Sequence, residues 1–186
     1  MCPRPGRPSP LSPFFSPLEQ RLAHWVIADA LQATRDFDEA IKEAETATAL
    51  APNDAWMLAD LAWIYVCAGK PMKAVEWYDF AAARDPANAA FYSGLKGNAL
   101  EIAGKPEESL AALNAGMLFA GFDHFVKAID LSRLGRADEA KTEVKKGLKV
   151  NSSMTQAMWR NINIYRDPSI AEREIADLAK AGLPEK

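Results

Sequence analysis

Ala68-Gly69-Lys70-Pro71 decides the fold. It separates two runs of apolar residues at helical spacing, and Asp85-Pro86 closes the second run. Glycine allows a turn conformation at low steric cost, and a proline opening the next helix loses nothing by lacking an N–H. The stretch therefore reads as a tight link between two helices. It returns as Ala103-Gly104-Lys105-Pro106, and Arg35-Asp36-Phe37 and Gly135-Arg136-Ala137 hold the same place in the neighbouring segments. One helix-turn-helix unit has been copied four times along the chain.

The spacing between the copies supports this. Pro52 and Pro86 are 34 residues apart, as are Ala40 and Ala74, and Ala47 and Ala81. Gly69 and Gly104 are 35 apart, and Gly104 and Gly135 are 31 apart. Beyond residue 17 every proline marks a boundary: Pro52 and Pro86 end helical segments, Pro71 and Pro106 begin them, Pro168 follows Asp167, and Pro184 follows Gly182. No proline interrupts a helical pattern and no β-branched alternating run is present, so the chain is all-α.

A period near 34 residues with two helices per unit is the mark of a solenoid. Segment two reads Trp56, Leu61-Ala62, Tyr65, Gly69, Ala74, Tyr78, Ala81 and Pro86. Segment one carries Ile27-Ala28, Leu31, Phe37, Ala40, Ala47 and Pro52 at matching places. Segment three carries Gly97, Leu100, Gly104 and Leu113, with Ser109 where alanine is usual and no closing proline. Segment four carries Ala128, Leu131, Gly135, Ala140 and Leu148, with Ser152 in place of the proline. These residues resemble the tetratricopeptide repeat family. The resemblance implies a right-handed α-solenoid of about four repeats, at about 21–54, 55–88, 89–120 and 121–152. After Ser152 the period stops. Met154 to Tyr165 reads as one amphipathic segment, and Asp167-Pro168-Ser169 starts a helix that ends at Ala181-Gly182. Residues 153–186 are expected to cap the last exposed face, as repeat arrays require.

Residues 1–17 hold six of the twelve prolines, at positions 3, 5, 8, 10, 13 and 17. This tail is expected to be disordered or extended, as a linker remnant or as a proline-rich ligand for a groove-binding domain. The net charge of −3 gives no reason to expect nucleic acid or an anionic membrane as partner. No apolar run reaches the ~20 residues of a membrane-spanning helix. Cys2 and Cys67 form no disulfide framework. The expectation is a reduced, cytoplasmic protein.

The chain shows no phosphate loop, CxxC or HExxH motif, because Gly94-Leu95-Lys96-Gly97 sits inside a helical pattern. His24 and His124 read as isolated surface or boundary residues. Asp36, Asp38 and Glu39 sit at a helix start, where carboxylates meet the positive helix end. Lys141, Lys145, Lys146 and Lys149 interleave with Glu139 and Glu143 and read as a solvated face. No nucleophile, base and oxyanion site converge, so no enzyme, cofactor or metal is expected.

In the family resembled, the first helix of each pair lines a concave groove. That register places Leu22, Trp25, Asp29 and Gln32 there from segment one, and Trp56, Ala59, Asp60 and Trp63 from segment two. Segment three contributes Phe91, Gly94, Asn98 and Glu101, and segment four Phe122, Phe125, Ile129 and Arg133. Trp63 and Phe125 are the aromatics expected to be most exposed. Some members of the family grip a chaperone's terminal carboxylate with Lys, Asn and Arg side chains. Only Asn98 and Arg133 correspond, so the expected partner is instead an amphipathic helix or extended apolar peptide held in an aromatic groove. A homodimer is the alternative. A weaker likeness concerns Tyr165-Arg166-Asp167-Pro168 and Leu178 to Glu185, which resemble the C-terminal close of bacterial proteins related to class III adenylate cyclases. It implies a regulatory segment of such a system.

Small residues at Ala74 and Ala81 let two helices approach closely. Replacing Ala81 by Trp is expected to lower unfolding stability by about 1–3 kcal/mol in chemical denaturation. A variant with the parent's midpoint would show that the repeat register is wrong.

Overall fold

The computed structural model describes residues 15–118 and 121–186. Among the described residues it holds ten α-helices and no strand. They run α1 Pro17–Ala33, α2 Phe37–Leu50, α3 Ala55–Cys67, α4 Pro71–Arg84, α5 Ala89–Ile102 and α6 Pro106–Ala115. The last four are α7 Phe122–Arg133, α8 Ala137–Val150, α9 Gln156–Ile162 and α10 Ser169–Lys180. α1 to α8 form four antiparallel pairs stacked side by side in a right-handed solenoid. No helix among the described residues is long and apolar enough to cross a membrane.

The link read from the sequence is one geometry used four times. After α3, the Lys70 N–H donates to Tyr65 O at 2.8 Å and the Gly69 N–H to Val66 O at 3.0 Å, with Gly69 at φ +79°. Lys105 and Gly104 repeat this on Leu100 and Glu101, Arg136 and Gly135 on Leu131 and Ser132, and Asp36 and Arg35 on Leu31 and Gln32. These paired bonds satisfy carbonyls that a helix end would otherwise leave open. Arg35 adopts the left-handed conformation without being glycine, at φ +65°.

Helix starts are capped in different ways. Asp54 accepts the Met57 N–H at 3.2 Å, and Thr155 accepts the Met158 N–H at 3.1 Å. Ser16 and Glu19 form a reciprocal capping box, with Pro17 opening α1. The proline-rich tail was expected to reach residue 17, but its end is already committed to this helix start. The expectation of disorder otherwise falls on residues 1–14, outside the described residues.

Two apolar clusters fill the stack. The first centres on Leu61, Tyr65, Tyr78, Tyr92 and Leu100 and draws in Tyr165 and Ala171 from the end of the chain. The second joins Leu113, Phe125, Ile129 and Val144 to Trp159, Leu178 and Leu183. The C-terminal segment therefore contributes to both. Its first part departs from the single amphipathic segment expected, because α9 stops at Ile162 and Tyr165 lies beyond it. At the Ser109 crossing, the buried hydroxyl donates to Gly97 O at 2.8 Å, so the serine tolerated there carries its own partner.

The turns give a paired expectation. Nothing lies within 4 Å of a Cβ built on Gly69, so a substitution there tests backbone conformation alone. Gly69→Ala should lower stability, and Arg35→Gly raise it, by about 1 kcal/mol each in chemical denaturation. Changes of the same sign in the two variants would refute this account of the turns.

Candidate functional site

The first helices of the four pairs carry the groove residues, and the structure divides them into two halves. Over the last two repeats the C-terminal segment packs on the first helix α7. The α9 residue Trp159 stacks on Phe122, with ring centroids 4.5 Å apart and planes at 11°. Trp159 also meets the Phe125 ring edge-on at 6.1 Å. Phe125 was expected to be exposed, yet it is 0% exposed. The cause is Gly147 on α8: a Cβ there would stand 2.7 Å from Phe125 Cζ, so only glycine leaves room for the ring. Helical patterning of α7 alone could not show this. The sign was glycine at residue 147, where segment two has Ala81.

Beyond α9 the chain crosses to the first two repeats. The Arg166 backbone N–H donates to Cys67 O at 2.7 Å. Its guanidinium donates to both Asp38 oxygens, at 2.7 and 3.3 Å, and lies 5.6 Å over the Phe37 ring. α10 then returns to repeat four. Arg133 Nε donates to Asp177 at 3.1 Å, and Nη1 donates to Glu101 O at 3.1 Å while lying 2.5 Å from Glu101 Oε1. Glu174 accepts from Trp159 Nε1 at 2.8 Å and from the Tyr165 hydroxyl at 3.2 Å.

Three groove assignments are corrected by this strap and one by simple burial. Arg133 anchors the strap, Phe122 is covered by Trp159, and Phe125 is core. Asn98 is buried inside α5 packing, because it follows Gly97 where α5 and α6 come closest.

Over repeats one and two some of these side chains keep exposed surface. Trp56 is 50% exposed, and its ring rests 5.3 Å from Phe91 and 6.4 Å from Tyr92. Trp25 Nε1 donates to Asp60 Oδ2 at 2.9 Å, tying α1 to α3. Trp63 is half-buried against the first cluster, and Asp29 is exposed. Contacts thus join Trp25 to Asp60 and Trp56 to Phe91, Asp60 being one of the positions read for the groove from segment two.

Buried carboxyls dominate the electrostatics. Glu101 and Glu174 are both 0% exposed, and each carboxyl acts on the other's ionisation. Burial and the neighbouring carboxyl raise Glu101 well above the usual range, with Arg133 opposing; burial also raises Glu174. The Arg133 guanidinium of α7 therefore joins the strap, through Asp177, to Glu101 of α5. Asp60 is pushed up to about 6, by burial and then by the charge of Asp29, against the Trp25 hydrogen bond. Asp130 of α7 is buried with both oxygens unpartnered, since Ser109 donates elsewhere, and burial raises it to about 7.

Other residues singled out in the sequence are structural. His24 is buried, not superficial: its Nδ1 lies 2.5 Å from Glu43, and His124 repeats the contact on Glu143 at 2.6 Å. Each pair joins the two helices of its repeat. Cys67 is a buried free thiol, which burial raises to about 12. Among the described residues no three His, Cys, Asp or Glu side chains are grouped to hold a metal.

A family model of the tetratricopeptide repeat matches residues 23–54. Solved structures of similar fold cover most of the chain. The MamA protein is 18% identical, with TM-score 0.61 over 88% of this chain and 90% of that one. PilF of Pseudomonas aeruginosa is 18% identical, with TM-score 0.64 over 89% and 78%. YrrB, described as a TPR protein with an unusual peptide-binding site, is 18% identical, with TM-score 0.55 over 87% and 84%. No curated protein matches in sequence. The fold is that of tetratricopeptide solenoids. The likeness to cyclase-related proteins has no counterpart among these matches.

The pH dependence of stability follows from Asp130. Its folded value lies above its unfolded value of about 3.9, so the stabilisation it permits is complete below about pH 4 and is lost as pH rises through 7. Asp130→Asn is therefore expected to be more stable than the parent at about pH 8, by about 1–3 kcal/mol, with the gap closing towards about pH 4. Urea unfolding of both proteins across that range checks it, and a gap independent of pH would refute it.

Proposed function

We propose that this protein is a non-catalytic interaction scaffold, and that the open half of its concave groove receives a peptide or helix of a protein partner. The observation that carries the reading is the contrast between the two halves. Over repeats three and four the chain's own C-terminal segment packs on α7 and buries Phe125 and Trp159. Over repeats one and two, among the described residues, Trp25, Trp56 and Trp63 are not stacked under a C-terminal ring in this way, and Trp56 keeps half its surface in solvent. Large aromatic side chains are favoured anchors at protein interfaces, since they bury much area for little conformational entropy. The peptide-binding site named for YrrB, on a similar fold, agrees with the reading.

A specific feature favours self-assembly as a second reading. Phe15, Leu18, Leu22 and Val26 form an exposed apolar stripe along α1, at the end of the stack where a further repeat would pack. A solenoid end left apolar is a surface on which another copy can stack.

Peptides selected from a random library on the immobilised full chain provide the test. Trp56→Ala and Trp63→Ala are each expected to weaken such peptides about tenfold while keeping the parent's circular dichroism. Unchanged affinity in both variants would overturn the groove reading. A sedimentation mass of two chains, abolished by Leu22→Glu, would instead carry the second reading.

A further inference from the structure

The open half of the groove holds negative charge that no cation among the described residues neutralises. Asp29 of α1 is close enough to Asp60 of α3 for its charge to raise it. Among the described residues neither carboxylate makes an ion pair, and no cation perturbs either one. The groups facing Asp60 from the surrounding helices are the Trp25 indole of α1, which donates to it, and the phenols of Tyr78 on α4 and Tyr92 on α5. Asp54, at the start of α3, is already paired with Arg21 at 3.2 Å. The other carboxylates met by the strap are matched: Asp177 and Glu101 share Arg133, and Asp38 holds Arg166.

Arg166, docked at the start of α2 and the end of α3, is an internal example of a cation held beside an aromatic ring. An extended segment docks there by one backbone hydrogen bond and presents a guanidinium to a carboxylate beside an aromatic ring. Asp29 and Asp60, beside Trp25, Trp56 and Trp63, offer the same chemistry without the cation. Indole faces attract cations, and a carboxylate next to them adds the counter-charge.

We propose that the open groove takes a basic and apolar segment of a protein partner, with a Lys or Arg seated against Asp29 and Asp60 and its apolar neighbours on the indoles. This rests on the groove reading above and names the chemistry of its ligand. A cation at the site favours ionised Asp60, so binding and loss of the Asp60 proton are linked. Affinity then grows as pH rises through about 6.

The test uses the full chain and three labelled peptides with the same leucine spacing, whose polar positions are all Lys, all Gln or all Glu. Anisotropy reports affinity, and tryptophan emission reports engagement of the groove. The Lys peptide is expected to bind about tenfold more tightly than the Gln peptide at about pH 7.5 and low salt, with the gap shrinking at about pH 5 and in high salt. The Glu peptide should bind weakest. Asp29→Asn and Asp60→Asn should each weaken the Lys peptide several-fold and leave the Gln peptide unchanged. Asp29 is exposed, so its variant tests the site without disturbing the core. Equal binding of Lys and Gln peptides, with a change in tryptophan emission, overturns the charge proposal and leaves the groove reading standing. Lys-peptide binding indifferent to both substitutions also overturns it. If no peptide alters tryptophan emission, both readings fall.

Discussion

A pair of antiparallel helices cannot cover its own apolar surface. Everything in this molecule depends on that constraint. Each pair presents one face to its predecessor and one to its successor, so a core exists only where pairs stack. The residues at the crossings obey it: Ala28, Ala40, Ala62, Ala74, Ala81 and Ala128 are buried, and larger side chains pack around them. The turn at Gly69 and its copies serves the same end by returning the chain with the same geometry every time.

The repeats were legible because their signals are local and periodic. Gly69, Gly104 and Gly135 mark the links in the sequence and adopt the left-handed conformation in the fold. The exposure of Trp56 followed from its place on α3, on a different face from the core positions Leu61 and Tyr65. What the sequence did not disclose was the fate of the other half of the groove. Phe125 has the same place in its repeat as Trp25 in the first, but its environment is set by Gly147 and Trp159, which come from other helices. A pattern read along one helix carries no information about which distant segment returns to cover it.

Two residues could have given warning. Glu101 stands in the apolar run Ala99-Leu100-Glu101-Ile102, and Glu174 lies on the apolar face of α10. A carboxyl placed among core positions needs a partner, and here the two found each other and Arg133. Buried polar groups of this kind add little net stability, but they penalise every arrangement that leaves them unmatched. They fix where the C-terminal segment docks.

The strap has a mechanical consequence. A plain solenoid is a spring: its pitch and curvature change by small rotations at each interface between repeats, and such arrays can tighten around what they bind. Here Arg166 is tied to Asp38 in the first repeat while Asp177 is tied to Arg133 in the fourth. A brace fastened at both ends resists stretching and twisting alike. The two ties therefore oppose changes of pitch between the first repeat and the fourth.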